Sequence, residues 1–308
     1  MKIYVNKLNE NWIVDRYRKD WYSSYKKFST NNVFFSDIVW IIAPWTWKKR
    51  NSNLLLNKKV ICTLHHIEMN DEFIKKFQEL DPYVDFFHVI SEKTYQQLKE
   101  ITDKKVFLIP WWVDDSNWFE INNKIEIRDQ FGIESSKYVI GSFQRDTEGS
   151  DLVSPKLIKG PDIFIKIVKE LNNKNKNLLV LLTGTRRNYV INELKTLNIP
   201  FKYFKMVSIE DLNKLYNILD LYIVASRLEG GPQAIVECAL TKTPIISSDV
   251  GIASQFLHQN SIFPINPKIS EVMKAKPNID YAYEKVQKIV GKKGLEVFFK
   301  MFQEIYES

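Results

Sequence analysis

The chain has 308 residues, 44% hydrophobic and 26% charged, with a formal charge of +7 and only two cysteines. That length provides for two domains with separate cores, and the composition is ordinary for a folded protein. Two cysteines in apolar surroundings, Cys62 and Cys238, exclude a disulfide framework and point to a reducing compartment, and the scattered lysines, with no zinc finger, RNP-type strand or basic helix, argue against nucleic acid.

In the first half, strands are predicted at 2–5, 37–43, 60–64, 86–90 and 106–109. Helical patterns occupy 12–29 and 71–80, and Ser91 followed by Thr94 marks a further helix start. All eight tryptophans fall between Trp12 and Trp118, a shift in character that places the domain junction between 116 and 136. The second half repeats the scheme with strands at 137–140, 178–182, 203–207, 221–225 and 244–247. Helices are predicted at 161–171, 188–197 and 209–219, and around Glu237. Residues 178–182 are almost continuously apolar, as a strand buried on both faces requires. Phe164, Ile167, Val168 and Leu171 form the stripe of a helix packed on one side. C-terminal helices begin near Asp280, and Gly291 and Gly294 are expected to break them before the amphipathic stretch 295–306. The fold class is α/β: two Rossmann-like, doubly wound domains, 1–115 and 116–290, facing each other across a cleft. The N-terminal residues show no apolar signal core, and 39–45 is too short an apolar run to span a bilayer, which leaves peripheral membrane contact open.

The densest chemistry follows the strand at 221–225. Glu229, Gly230, Gly231 and Pro232 form a turn into a helix carrying Glu237, with Pro232 near the first helical position, where a missing N–H costs nothing. Such a turn aims backbone amides and a positive helix end at the crevice beyond the sheet, where an anion can sit. Arg145 lies in the loop opened by Gly141, and Lys159 precedes Gly160 at a helix start. The two side chains are expected to converge on one diphosphate, Arg145 as a fork and Lys159 as a point charge, with Lys156 as a second candidate for the lysine role. Glu237 suits vicinal ribose hydroxyls, and Glu229 suits hydroxyls of a transferred group. Gly184 and Arg186 follow another strand end, where surface cations explain Arg186 and Arg187 equally well, and Gly251 offers backbone amides near the same place.

In the first half, His65 and His66 end a strand without the spacing of a zinc-protease helix. A neutral imidazole donating to a sugar hydroxyl or reacting oxygen is the stronger reading, with no metal. His88 lies in an apolar run and reads as structural. Trp111 and Trp112 read either as a wall of an acceptor site or as packing.

These residues resemble the GT-B glycosyltransferases of family 4, most closely from Ile140 to Ile252. Glu229 and Glu237, with Ser226 just before them, resemble that family's acidic signature. Arg145 and the Lys159–Gly160 pair resemble its phosphate-binding residues. Thr63, Leu64, His65 and His66 resemble its strand-end histidine motif, Ser91 its following serine, and Ile109–Pro110 the start of its interdomain link. The resemblance implies a GT-B fold and a sugar nucleotide donor, UDP- or GDP-linked. It implies a metal-independent, retaining transfer without a carboxylate nucleophile, and a final helix, 291–308, packing back on the first domain. His65, Glu229, Arg145 and Lys159 would be catalytic, and no cofactor is implied. The acceptor would be a glycan, polysaccharide or lipid-linked glycan, and the setting cytoplasmic or peripheral on the cytoplasmic face of a membrane. A nucleotide-sugar epimerase and a non-catalytic glycan-binding subunit are the competing readings. The family's early Gly-Gly loop is replaced by Asn6, Lys7, Leu8 and Asn9, and its Asn-Gly after Ile-Pro by Trp111–Trp112. The first domain is also short for the family, which implies an abbreviated acceptor site or one completed by a partner.

Overall fold

A computed structural model of the chain describes residues 1–7, 13–47, 53–150 and 152–308; Leu8, Asn9 and Trp12 lie outside the described residues. The chain divides into two compact units, Met1–Trp112 with Gly291–Ser308, and Val113–Val290.

The first unit holds β1 (Ile3–Val5), α1 (Ile13–Ser24), β2 (Ile38–Ile41), β3 (Lys59–Leu64), α2 (Asp71–Leu80), β4 (Phe86–Val89), α3 (Glu92–Lys99) and β5 (Lys105–Leu108). All five strands are parallel and pair in sequence order, β1 to β5, without a reversal. Alternation along β2 shows how both faces are used. Ile38 and Trp40 enter a core with α1, whereas Val39 and Ile41 enter a second core with α2 and α3.

The second unit contains α4 (Lys124–Gln130), β6 (Tyr138–Ser142), α5 (Pro161–Lys174), β7 (Leu178–Thr183), α6 (Asn188–Thr196), β8 (Phe201–Phe204) and α7 (Ile209–Asn217). It continues through β9 (Leu221–Val224), α8 (Gln233–Leu240), β10 (Ile245–Ser248), α9 (Ala253–Phe256), β11 (Ile262–Phe263), α10 (Ile269–Val272) and α11 (Ile279–Val286). Its parallel sheet runs β11-β10-β9-β6-β7-β8, so the winding reverses between β6 and β9. In β7, Leu178, Val180 and Leu182 feed one core and Leu179 and Leu181 the other, which explains the unbroken apolar run. The strand expected at 203–207 instead occupies Phe201–Phe204, because its partner β7 ends at Thr183, opposite Phe204. Ser208 then caps α7 by accepting a hydrogen bond from the Asp211 amide.

The change of unit falls after Trp112. Val113 donates its amide to the Ile289 carbonyl at 3.0 Å and packs in the second unit's core. The final element, α12 (Gly291–Glu307), starts at Gly291, where φ is +49° after the chain has left α11, but it runs through Gly294, also expected to break it. Gly294 is buried within the helix and does not break it. Leu295, Phe298, Met301, Phe302 and Ile305 recur at helical spacing and join Trp40, Trp21 and Trp111 in the first unit's core. No helix among the described residues is long and apolar enough to cross a membrane.

Candidate active site

The reversal between β6 and β9 separates the loops that leave these two strands, and such a switch point is where an open α/β sheet presents a ligand site. Gln144, Arg145 and Asp146 leave β6, and Ser226 to Glu229 leave β9. A third segment joins them. Leu157–Lys159 form one 3-10 turn, Gly160 adopts φ +62°, and Pro161 begins α5. The Arg227 and Leu228 amides both donate to the Ile158 carbonyl, at 2.8 and 3.1 Å. The Arg227 guanidinium forks onto Asp162 through Nη1 and Nη2, each at 2.7 Å, and Nη1 also donates to the Leu157 carbonyl. That fork holds the Asp162 carboxyl below its ordinary range.

This stitching fixes the charged groups. Lys159 Nζ lies 2.8 Å from Glu229 Oε1, and the same carboxylate accepts from Ser226 Oγ at 2.8 Å. The Gln144 side-chain amide donates to the Lys159 carbonyl at 2.8 Å, and the Lys156 amide donates to the Asp146 carbonyl at 2.8 Å. Arg145 is exposed, and Arg145 and Lys159 both act electrostatically on Lys156. Partial burial first, then these two cations, lowers the Lys156 pKa. Lys156, the second candidate for the lysine role, thus feels both Arg145 and Lys159, and Lys159 is paired to Glu229.

The loop carrying Arg145 has its own anchor. Arg187, 1% exposed, donates from Nε to Asp146 at 2.8 Å and from Nη1 to the Ser142 carbonyl at 2.5 Å. Burial raises the Asp146 pKa against the opposing pull of Arg187. The Asp146 and Thr147 amides both donate to the Arg186 carbonyl. Arg187 is therefore an internal clamp and not a surface cation. Arg186 stays exposed at φ +58° and donates to the Gly149 carbonyl at 3.1 Å. Gly184, at φ +92°, turns the chain after β7.

Glu237 lies in α8 and is almost fully buried, accepting at Oε2 from the Tyr216 hydroxyl at 2.7 Å. Burial, then the neighbouring Glu237 charge, pushes the Tyr216 pKa well up, so this phenol stays a donor. Pro232 caps α8 from outside the helix rather than opening it. A β-carbon on Gly251 would lie 2.2 Å from the Gly230 carbonyl oxygen, so the turn after β10 packs directly on the Glu229–Gly230 backbone. Gly231 follows, half-buried. Gly141 has a different use: the Leu219 side chain fills the space its own side chain would need, so this glycine packs β6 on the core.

In the first unit, His65 follows β3 with its ring half-buried, 5.6 Å from Trp45 and 5.8 Å from Trp111. Its Nε2 is 3.0 Å from the Ile42 carbonyl, which offers only an acceptor, so the neutral ring carries its proton there. Desolvation brings its pKa down to about 4, against the raising effect of that carbonyl. The expectation that this imidazole donates to a ligand is corrected: its donor is committed to Ile42, and Nδ1 presents a lone pair. His88 is held between the Thr63 hydroxyl at 2.9 Å and the Ile109 carbonyl at 2.8 Å, with burial lowering its pKa to about 3. Trp111 and Trp112 are 5% and 2% exposed and belong to the core, so they wall no acceptor site. Among the described residues no group of three or more His, Cys, Asp and Glu side chains could hold a metal ion.

Tyr216, Arg227 and the Asp146–Arg187 clamp were not legible beforehand. The Arg227 position, between Ser226 and Glu229, is the one sequence signal that pointed at any of them.

A family model described as glycosyl transferases group 1 matches residues 153–295, most of the second unit. No curated protein matches the chain in sequence. Among solved structures, Anabaena HepE in complex with UDP is 13% identical with a TM-score of 0.77, covering 99% of this chain and 100% of its own. Sucrose-phosphate synthase from Thermosynechococcus elongatus is 12% identical at 0.72, covering 98% and 81%. A glycosyltransferase from Rickettsia africae is 18% identical at 0.68, covering 97% and 83%. Likeness at these identities establishes the fold: two parallel sheets flanked by helices, the Rossmann-like pair of the GT-B class.

Proposed function

We propose that the chain is a retaining glycosyltransferase that takes a sugar from a UDP- or GDP-linked donor and passes it to a glycan, polysaccharide or lipid-linked acceptor. The observation that carries this reading is the grouping of Arg145, Lys156 and Lys159 at the β6–β9 switch point, with Lys159 bridged to Glu229 at 2.8 Å. Phosphoryl oxygens of a nucleoside diphosphate suit that field, and they gain negative charge as the glycosidic bond breaks. Preplaced cations stabilise the leaving group most when that charge is largest.

Each carboxylate has a task in this reading. Glu237, oriented by Tyr216, accepts from the vicinal hydroxyls of the ribose. Glu229, held by Ser226 and Lys159, accepts from hydroxyls of the donor sugar once the diphosphate engages Lys159. The acceptor hydroxyl attacks the anomeric carbon from the face the diphosphate leaves, and the departing phosphate oxygen takes its proton, so configuration is retained. His65 contributes a neutral Nδ1 that accepts from a saccharide hydroxyl. The group 1 match over 153–295 supports the reading, as does the UDP held by the structurally similar Anabaena protein.

Incubating the full chain with UDP-, GDP-, ADP- and CMP-linked sugars, with and without mixed glycan acceptors, tests it directly. Release of one nucleoside diphosphate, with the product's anomeric configuration unchanged by NMR, is the expected result. Binding of none of these nucleotides would end the proposal.

A further inference from the structure

A buried ion pair can be exchanged for apolar side chains of similar volume without loss of stability, so stability alone does not account for one. The second unit encloses such a pair. Arg187 and Asp146 are 1% and 2% exposed, with Nε 2.8 Å from Oδ2. The guanidinium is gripped by the ends of two neighbouring strands. Its Nη1 donates to the Ser142 carbonyl of β6 at 2.5 Å and to the Thr183 carbonyl of β7 at 3.3 Å. The carboxylate feels burial most, which raises its pKa; Arg187, and after it the Val190 and Tyr189 amides in the first turn of α6, act against that. Two strands and a helix start are thus pinned to one pair of side chains.

What the pair holds is the root of a hairpin. Beyond Asp146 the chain doubles back: Thr147 bridges Pro155 in an antiparallel pairing, and the Glu148 amide donates to the Ser154 carbonyl at 3.0 Å. The Lys156 amide then donates to the Asp146 carbonyl at 2.8 Å. On the other side, the Asp146 and Thr147 amides donate to the Arg186 carbonyl at 2.9 and 3.2 Å. Asp146 is therefore engaged through its carboxylate, its amide and its carbonyl. Arg145 precedes it in the chain and Lys156 is bonded to it across the ladder, so the two cations stand at the two feet of the hairpin on a single support.

We infer that Asp146 and Arg187 are positioning residues for the donor diphosphate: they set Arg145 and Lys156 at a fixed spacing and, being enclosed, touch no ligand themselves. The inference rests on the proposed donor reading, because it takes those two cations to be groups that meet phosphate. Like charges held close repel each other while the site is empty, and Lys156 shows the effect of Arg145. An unsupported hairpin would let them drift apart and would have to be ordered again on binding. A hairpin rooted in a buried pair is ordered when the unit folds, so the anion meets cations already in place.

Calorimetry on the full chain with UDP and GDP, each set against its own nucleoside, tests the inference well below every variant's unfolding temperature. Asp146→Asn and Arg187→Met are expected to weaken the bound diphosphate about tenfold, the scale of a slightly misplaced binding group, and to leave its nucleoside unchanged. Arg187→Lys keeps a charge beside Asp146 and should recover most of the loss. A purely structural pair would lower the unfolding temperature and leave the ratio of diphosphate to nucleoside affinity where it was. Hydrogen exchange by NMR needs no variant: the Lys156 amide should be protected in the wild-type chain without nucleotide. Exchange at the unfolded rate there, or an unchanged affinity ratio in Asp146→Asn and Arg187→Met, would overturn the inference alone. A wild-type chain that binds neither diphosphate would overturn the donor reading and this inference with it.

Discussion

Gly160 is the tightest point of the proposed donor site, and replacing it by alanine has a magnitude that follows from geometry. At φ +62° any other residue is strained, and for alanine the left-handed conformation costs about 1–2 kcal/mol. The added β-carbon would stand 1.8 Å from the Ala225 carbonyl oxygen, which is backbone at the end of β9 and has no rotamer to move. Relieving that overlap needs a retreat of about 1 Å between the turn and the strand end. The Arg227 and Leu228 amides, bonded to Ile158 across the same gap, would lengthen with it at about 1 kcal/mol each. Gly160→Ala should therefore destabilise the second unit by about 3–4 kcal/mol, or roughly 10 °C in the transition reporting that unit. Gly184→Ala is the control. Its φ is +92°, but its nearest heavy atom is 3.5 Å from the β-carbon position, so only the backbone strain applies. Scanning calorimetry of both variants separates the two contributions. Equal losses would refute the argument that Gly160 is held by contact with β9.

Arg145→Ala and Lys159→Ala should each weaken UDP by about ten- to a hundredfold while leaving uridine nearly unchanged, the scale of one charge-assisted hydrogen bond; equal losses for both ligands in calorimetry would reject a phosphate role. Tyr216→Phe removes the donor that orients Glu237 and should reduce the preference for UDP over 2′-deoxy-UDP by about two- to tenfold, so an unchanged preference would sever Tyr216 from ribose recognition. His65 and His88 are held neutral, near about 4 and about 3, whereas the unfolded chain protonates histidine near about 6.5. The unfolded state binds more protons in that window. Stability is therefore complete above about pH 6.5 and lost as pH falls towards 4 and then 3, with a slope approaching about 1.4 kcal/mol per pH unit for each histidine. Urea midpoints that stay level from pH 6.5 to 4 would contradict it.

The alternation of apolar strands and amphipathic helices was readable because burial on both faces leaves an unbroken apolar run, as in Leu178–Thr183. The expectation that Arg145 and Lys159 converge, with Lys156 as the alternative lysine, came from their places at a strand end and a helix start. What escaped depends on partners distant in sequence. Arg186 and Arg187 look alike in the chain, yet one is exposed and the other is enclosed with Asp146. Trp45 and Trp111 are likewise indistinguishable by type. Trp45 is half exposed in the turn after β2, whereas the packing of α12 closes over Trp111. Gly294 misled for a similar reason, since low helix propensity is outweighed when a helix packs a whole apolar face.

The placement of α12 bears on how the protein is made. Leu295, Phe298, Met301, Phe302 and Ile305 finish a core that begins with Ile3, but all of Val113–Val290 must be synthesised between them. At ordinary ribosomal speeds that interval is roughly 10–40 s, during which the aromatic floor of Trp21, Trp40 and Trp111 waits without its cover. The intervening unit, whose segments are contiguous, can settle first. The nascent N-terminal half is thus the part most dependent on chaperone shelter, and damage near residue 300 would be felt beside β2 rather than in Val113–Val290.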